Sequence, residues 1–78
     1  QDQPIELTSK EFELLQMMLL NQGKVFSREE FLDAIWWYDS FVDSRAIDVH
    51  IKNLRSKLGK NSIQTVKGIG YRIDKEKN

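Results

Sequence analysis

Two short segments of this sequence carry the same signal for the start of a helix. Thr8 is followed at the third residue by Glu11, and Ser27 is followed in the same way by Glu30. In such a capping box the hydroxyl accepts a hydrogen bond from the third helical N–H, and the carboxylate reaches back to the N–H of the cap. The sequence therefore predicts one helix after Thr8 and a second after Ser27, joined by a short connection.

The apolar residues that follow each capping box give these helices their extent. The first helix is predicted to end at residues 21–23, where Gly23 can adopt a left-handed conformation. Its predicted buried stripe has helical spacing and consists of Phe12, Leu15, Met18 and Leu19. The second helix is predicted to run from about Arg28 to Trp36 and to bury Phe31, Ile35 and one side of Leu32.

A third helix is predicted over residues 45–58, capped by Ser44 or Asp43 and ended by Gly59. At about 100° per residue, one narrow stripe is apolar and consists of Ile47, Ile51, Leu54 and Leu58. The opposite side, called here the outer face, consists of Arg45, Val49, Lys52, Asn53 and Ser56. Asp48 and Arg55 lie on one flank between these sides, and His50 and Lys57 lie on the other.

Two β-prone runs, residues 63–66 and 71–73, surround a glycine-rich segment and predict a hairpin, called here the wing (residues 63–73). Residues 5–7 alternate in polarity and predict the end of a further strand. The order helix, helix, loop, helix, hairpin predicts an α+β fold of the winged helix-turn-helix type. Residues 1–78 are predicted to form this one domain, without repeats or long linkers.

The charges are unevenly distributed although the formal net charge is zero. Residues 1–43 carry nine acidic and three basic side chains, for a net charge of −6, whereas residues 44–78 carry nine basic and three acidic ones, for +6. Such a division indicates that one face meets a polyanion, although a solvated surface of an ordinary domain would have the same composition.

The outer face of the third helix combines the side chains that suit the major groove of DNA. Arg and Lys neutralise phosphates or donate to guanine, Asn can pair with adenine, and a small apolar group can contact a thymine methyl. The alternative is an exposed amphipathic helix on which Asp48 and Lys52 form a pair one turn apart. The basic, glycine-tipped wing favours DNA binding, with Lys67 reaching a phosphate or the minor groove.

Four segments carry a resemblance to a known family, in order and over nearly the whole chain. They are LTSKEFELL (7–15), NQGKVFSREEFLDAIW (21–36), SRAIDVHIKNLRSKLG (44–59) and IQTVKGIGYRI (63–73). These segments resemble the DNA-binding domains of OmpR/PhoB-type response regulators of bacterial two-component systems. The resemblance implies sequence-specific binding of double-stranded promoter DNA for transcription regulation, at the end of a phosphorelay.

The resemblance also implies roles for individual residues. In that family the third helix enters the major groove, and the residues that would face bases or the neighbouring backbone are Asp48, Val49, Lys52 and Asn53. The expected backbone contacts are Trp36, Arg45, His50 and Arg55, and the wing would add Thr65, Lys67 and Tyr71. The family contacts RNA polymerase through the loop before the third helix, which assigns that role to the aromatic loop (residues 37–43), namely Trp37, Tyr38, Asp39, Ser40, Phe41, Val42 and Asp43. Trp36 and Tyr71 could instead be mainly core residues.

The sequence departs from the family pattern in three ways. Trp37 stands where the family usually has glycine, which suggests an unusual path for the loop. Lys52 and Asn53 replace residues that are often arginine, which points to a different target sequence. The sheet that precedes the first helix in the family is largely missing, with only residues 5–7 to represent it, and an excised piece of a longer protein is the expectation.

Several partners follow from the resemblance. The full-length protein is expected to carry a phospho-accepting receiver domain, absent from this chain, and to respond to a sensor kinase. It is expected to bind direct repeats as a dimer. Without the preceding sheet, one side of the first helix is expected to be exposed, so that self-association would be unsurprising.

Catalysis and cofactor binding are not expected. Ser44, Asp48 and His50 share one short helix and cannot converge on a point as a nucleophile, a base and an orienting group must. With one histidine and no cysteine, no transition-metal site is expected. Residues 23–24 lack the rest of a phosphate loop, and the glycines at 68 and 70 lie in a hairpin and do not open a helix, so no nucleotide site is expected. The sequence also lacks a membrane-length apolar run, so a cytoplasmic location is expected. The remaining alternative is a winged-helix module that binds protein through the aromatic loop.

Overall fold

The fold was obtained as a computed structural model, and the structure describes residues 5–75. Three helices precede a two-stranded antiparallel sheet: α1 (Ser9–Leu19), α2 (Arg28–Ile35), α3 (Arg45–Leu58), β1 (Gln64–Val66) and β2 (Gly70–Arg72). Thr65 of β1 lies opposite Tyr71 of β2. The predicted α+β winged helix-turn-helix is therefore confirmed.

Both predicted capping boxes are present. The Glu11 N–H donates to Thr8 Oγ1 over 3.2 Å, and the Thr8 N–H donates to Glu11 Oε1 over 3.0 Å. Ser27 and Glu30 exchange the same pair of bonds at 3.1 and 2.8 Å. These reciprocal bonds satisfy N–H groups that a helix start leaves without partners, which is why the sequence located both starts correctly.

Helix α3 starts at Arg45 as predicted, and the structure distinguishes between the two caps that the sequence offered. The Ser44 side chain makes no capping hydrogen bond. Asp43 takes this role in part, because its Oδ1 accepts from the Arg45 N–H over 2.9 Å. Its carboxylate also lies 3.1 Å from the Arg45 guanidinium, so a negative charge lies at the positive end of the helix dipole.

The buried face of α1 was predicted wrongly in part. Leu14, which the predicted stripe omits, is fully buried, and Phe12 and Leu19 are exposed together with Leu20. The helix is apolar on two sides, and only the side with Leu14 and Met18 packs against the rest of the domain. Phe12 and Leu19 lie on the other, exposed side. The prediction that one side of the first helix is exposed is therefore correct, although Phe12 and Leu19 were predicted to be buried. The helix also ends at Leu19, two residues before the predicted end region.

Besides the pairing of β1 with β2, the wing is hydrogen-bonded to the segment between α1 and α2. Phe26 pairs with Tyr71 as an isolated antiparallel bridge, in which each N–H donates to the other carbonyl at 2.8 and 2.9 Å. The Gly23 N–H also donates to the Ile73 carbonyl over 2.7 Å. β1 is one residue shorter than predicted, because Ile63 lies outside it, and β2 is shifted by one residue, because it includes Gly70 and leaves out Ile73. Residues 5–7 form no strand.

One core occupies the space between the helices and the wing. The helices contribute its largest fully buried side chains, among them Leu14, Phe31, Ile47, Ile51 and Leu54, and the start of the wing contributes Ile63. Because Ile47, Ile51 and Leu54 lie in this core, α3 is fixed with its outer face turned away from it. Within residues 5–75, no helix is both long enough and apolar enough to cross a lipid bilayer.

Candidate nucleic-acid interface

The outer face of α3 is exposed along its whole length. Arg45, Lys52, Asn53 and Ser56 are exposed, and Val49 keeps 56% of its accessible surface. On the opposite side, Ile47, Ile51 and Leu54 are buried. A domain in this conformation can present the outer face to a groove without rearranging its core.

The flank formed by Asp48 and Arg55 joins α3 to the wing. The Arg55 guanidinium donates to the Ile63 carbonyl through Nε and Nη2, at 3.1 and 2.7 Å, and Nη2 also donates to Thr65 Oγ1 over 2.6 Å. The same guanidinium carbon lies 5.6 Å from the centre of the Tyr71 ring. The wing is therefore held beside α3 along the flank that borders the outer face.

Asp48 makes the second connection on this flank. Its Oδ1 accepts from the Tyr71 hydroxyl over 2.5 Å and from Arg28 Nε over 3.0 Å. Burial raises the pKa of the Asp48 carboxyl, but the hydrogen bonds from Tyr71 and Arg28 outweigh it and hold that pKa below its ordinary value. Burial and the Asp48 carboxylate both raise the pKa of Tyr71. The Asp48 carboxylate is thus ionised and the Tyr71 phenol is protonated near neutral pH. Because the partners of Asp48 are Tyr71 and Arg28, the alternative pair of Asp48 with Lys52 does not form.

The opposite flank of α3 packs against α1 and the end of α2. The His50 ring lies 5.2 Å from the Trp36 ring, and Lys57 Nζ donates to Glu11 Oε1 over 2.6 Å. Glu11 keeps only 3% of its accessible surface. The bond from Lys57 lowers the pKa of Glu11 below its ordinary value, against the opposing effect of burial. The sequence identified Glu11 only as part of a capping box and gave no signal for this long-range pair.

Trp36 is largely buried, and its ring contacts Lys10, a residue to which the sequence analysis assigned no role. Lys10 Nζ lies 5.5 Å from the Trp36 ring centre and 4.9 Å from the Tyr38 ring centre. It also donates to the Ile35 carbonyl over 3.3 Å. A cation between two aromatic rings stabilises both of them, so Lys10 connects α1 to the start of the aromatic loop.

The tip of the wing projects beyond these connections. Lys67 is exposed, and Gly68 has a positive φ of 78°, which a side chain would strain. Between the wing and the starts of α2 and α3 lies an open groove of about 270 Å³. Among its lining residues are Arg28, Ser44, Thr65 and Tyr71. The wing tip and the outer face of α3 can therefore approach one elongated partner together.

The aromatic loop is exposed in its middle. Phe41 keeps 95% and Trp37 76% of their accessible surface, and the Trp37 ring meets the Tyr38 ring edge to face at 5.6 Å. Trp37 occupies a turn. An adjacent groove of about 330 Å³ carries the carboxylates of Glu29, Asp33 and Asp39. The loop is thus an apolar surface beside an acidic one, separate from the connections that hold the wing.

The predicted site residues therefore divide into two groups. Arg45, Val49, Lys52, Asn53 and Lys67 are exposed. Asp48, His50, Arg55 and Tyr71 are partly or wholly engaged within the domain, as is Trp36. Thr65 is exposed, but its hydroxyl accepts a hydrogen bond from Arg55.

Comparison with known proteins identifies the family. Residues 2–73 match the family described as "Transcriptional regulatory protein, C terminal". The chain belongs to this family. It is 47% identical over 72 residues to the transcriptional regulatory protein QseB of Haemophilus influenzae, an alignment that covers 92% of the chain and 33% of QseB. The chain spans about a third of the length of the curated relatives it matches.

Solved structures support the same family. The DNA-binding domain of Bacillus subtilis CssR superposes with a TM-score of 0.81 and is 39% identical, with 88% of this chain and 78% of that chain covered. The RstA DNA-binding domain of Klebsiella pneumoniae, solved in complex with the RstA box, gives a TM-score of 0.77 at 28% identity, with 90% and 74% covered. The resemblance to OmpR/PhoB-type response regulators is therefore confirmed, and the relatives are transcriptional regulators.

Proposed function

We propose that this chain binds double-stranded DNA sequence-specifically, as the output domain of a two-component response regulator. The observation that carries the proposal is the exposed outer face of α3, with the wing held beside it by Arg55 and Asp48. A helix fits the major groove of B-form DNA, and an adjoining basic hairpin fits the backbone or the minor groove next to it.

The exposed residues have separate roles in this proposal. Lys52 and Asn53 read base edges, because an ammonium can donate to guanine and a carboxamide can pair with adenine, and Val49 contacts a thymine methyl. Arg45 and Lys67 neutralise phosphates. His50, Arg55 and Thr65 lie at the borders of the outer face and would add backbone contacts, with Trp36 behind His50.

The regulatory context is proposed from the relatives. We expect the domain to follow a receiver domain that a sensor kinase phosphorylates, to bind direct repeats in promoters as a dimer in the bacterial cytoplasm, and to have no catalytic activity. The exposed apolar residues of α1, Phe12 and Leu19, offer a surface for self-association.

A salt titration tests the proposal. Duplexes selected from a random library would be titrated with the chain by fluorescence anisotropy, between about 50 and 200 mM salt, with an unselected duplex of equal length as the control. The slope of log K against log salt should be about −0.9 for each phosphate contact, and the selected duplex should bind more tightly than the control. Failure to select any duplex, or a slope near zero, would contradict the proposal.

A second function is supported by the exposed side chains of Trp37 and Phe41 in the aromatic loop. We propose that this loop contacts RNA polymerase. Serine in place of Phe41 should leave the affinity for DNA unchanged and reduce activated transcription in a purified system. A loss of DNA affinity in that variant would instead assign the loop to the DNA interface.

A further inference from the structure

We propose that Asp48 is a positioning residue, which fixes the angle between α3 and the wing, and that it does not read a base. This inference rests on the proposed DNA binding. It follows from the position of the Asp48 carboxylate, which lies where three elements meet: α3, the start of α2 and strand β2.

A single oxygen of Asp48 makes both connections. Oδ1 accepts from the Tyr71 hydroxyl of β2 and from Arg28 Nε at the start of α2, at 2.5 and 3.0 Å. Hydrogen bonds to an ionised carboxylate are about twice as strong as neutral ones. The three side chains therefore form one charge-assisted network, and the Asp48 carboxylate could turn or move toward a base only by breaking these bonds to Oδ1.

Two separate attachments along α3 are what fix an angle. Arg55 binds the β1 side of the wing through the Ile63 carbonyl and Thr65, and Asp48 binds the β2 side through Tyr71. The two residues lie about two turns, or about 10 Å, apart along the helix axis. With Arg55 alone, α3 would stay in the core and the backbone bridge would still join Tyr71 to Phe26, but no side-chain hydrogen bond of Tyr71 would join the β2 side of the wing to α3. With both, the outer face and Lys67 are held in a single relative position.

Because Asp48 is charged, a positioning role can be distinguished from a purely electrostatic one. A carboxylate beside a phosphate backbone repels it, so the removal of one negative charge should by itself tighten binding. If Asp48 acts by positioning, its neutral variant Asp48→Asn should bind more weakly instead. The matched control is Asp33→Asn, which removes the same charge from an exposed position of α2.

A double-mutant cycle between Tyr71 and Lys67 tests the inference most sharply. Tyr71→Phe removes only the hydroxyl that binds Asp48. We expect it to weaken binding to a selected duplex by up to about tenfold, because the free energy of one hydrogen bond to a charged group limits how far its loss can shift the wing from its position. In a Lys67→Ala background, Tyr71→Phe should reduce the affinity for the duplex about twofold or less, because the contact of Lys67 that it would misplace is already absent. Thermal unfolding of every variant would establish that each is folded at the temperature of the titration.

The outcomes separate the inference from the function on which it rests. Failure of the unaltered chain to bind any duplex would refute the proposed function. If the chain binds but Tyr71→Phe costs nothing, or costs equally with and without Lys67, the positioning role is refuted. The role is also refuted if Asp48→Asn tightens binding as Asp33→Asn does. A changed base preference in Asp48→Asn, with Tyr71→Phe behaving like the unaltered chain, would assign base reading to Asp48.

Discussion

Replacement of Lys57 by methionine would leave the Glu11 carboxylate in the interior of the domain without its cation. The two side chains belong to α3 and α1, and their bond of 2.6 Å joins the end of the third helix to the start of the first. The two partners are buried unequally, since Glu11 keeps 3% of its side-chain surface and Lys57 keeps 34%. The loss of Lys57 should therefore reduce the stability of the domain by a different amount from the loss of the Glu11 charge.

The magnitudes follow from this asymmetry. Lys57→Met strands a buried charge, which costs about 3 kcal/mol, at the lower end of the usual range because the Thr8 N–H still donates to the carboxylate. Glu11→Gln keeps an acceptor for Thr8 and leaves Lys57 free to turn toward water, so it should cost about 1 kcal/mol. For a domain of this size, these losses correspond to decreases in Tm of about 12–24 °C and about 4–8 °C.

The difference between the variants should depend on pH. The folded-state pKa of Glu11 lies below its ordinary value of 4.5, so the stability from its ionisation is present above pH 4.5 and is lost as the pH falls through the folded-state pKa. In Lys57→Met, burial without the ammonium raises that pKa, and stability is lost as the pH rises above 4.5. The difference in the free energy of unfolding between the original chain and Lys57→Met should therefore increase from acidic pH to pH 7.

Urea denaturation at pH 4 and pH 7, followed by circular dichroism, measures these quantities. The account requires Lys57→Met to be the less stable variant at pH 7. A smaller loss for Lys57→Met than for Glu11→Gln, or a gap that does not change with pH, would refute the reasoning about the buried carboxylate.

Three further predictions concern DNA binding and the wing. Lys67→Ala should weaken binding to all duplexes and reduce the salt slope by about one unit, and an unchanged slope would exclude a backbone contact by the wing tip. Asn53→Ala should cost about 1–3 kcal/mol on the selected duplex and relax the preference at one base pair, whereas an equal loss on random DNA would exclude base reading. Gly70→Ala should cost about 3 kcal/mol in urea denaturation, since its Cβ would lie 1.9 Å from the Phe26 carbonyl oxygen. Gly68→Ala, strained but unobstructed, should cost about 1 kcal/mol, and equal losses would contradict this comparison.

The sequence predicted those parts of the fold that depend on local chemistry. The capping boxes located the starts of α1 and α2, because their hydrogen bonds join residues three apart. The cap at Ser44 or Asp43 and the glycine at position 59 predicted the bounds of α3. The flanks that its apolar stripe defined are the two sides on which Asp48 and His50 contact the rest of the domain. The exposed outer face followed from the same helical period.

Long-range contacts could not be predicted from local patterns. The pairs Glu11–Lys57 and Arg28–Asp48 join residues far apart in the chain, and a period of 3.6 residues gives the side on which a residue lies but not its partner. The buried side of α1 was ambiguous for a related reason. The helix is apolar on both sides, and only tertiary packing selects the side with Leu14.

Nuclear magnetic resonance of the complex would show whether the outer face of α3 lies inside the major groove. With a selected duplex and methyl-labelled chain, we expect intermolecular NOEs between the exposed Val49 methyls and a thymine methyl or cytosine H5, both of which line the major groove. This expectation would be contradicted if binding shifted the resonances of the aromatic loop and left those of Val49, Lys52 and Asn53 unchanged.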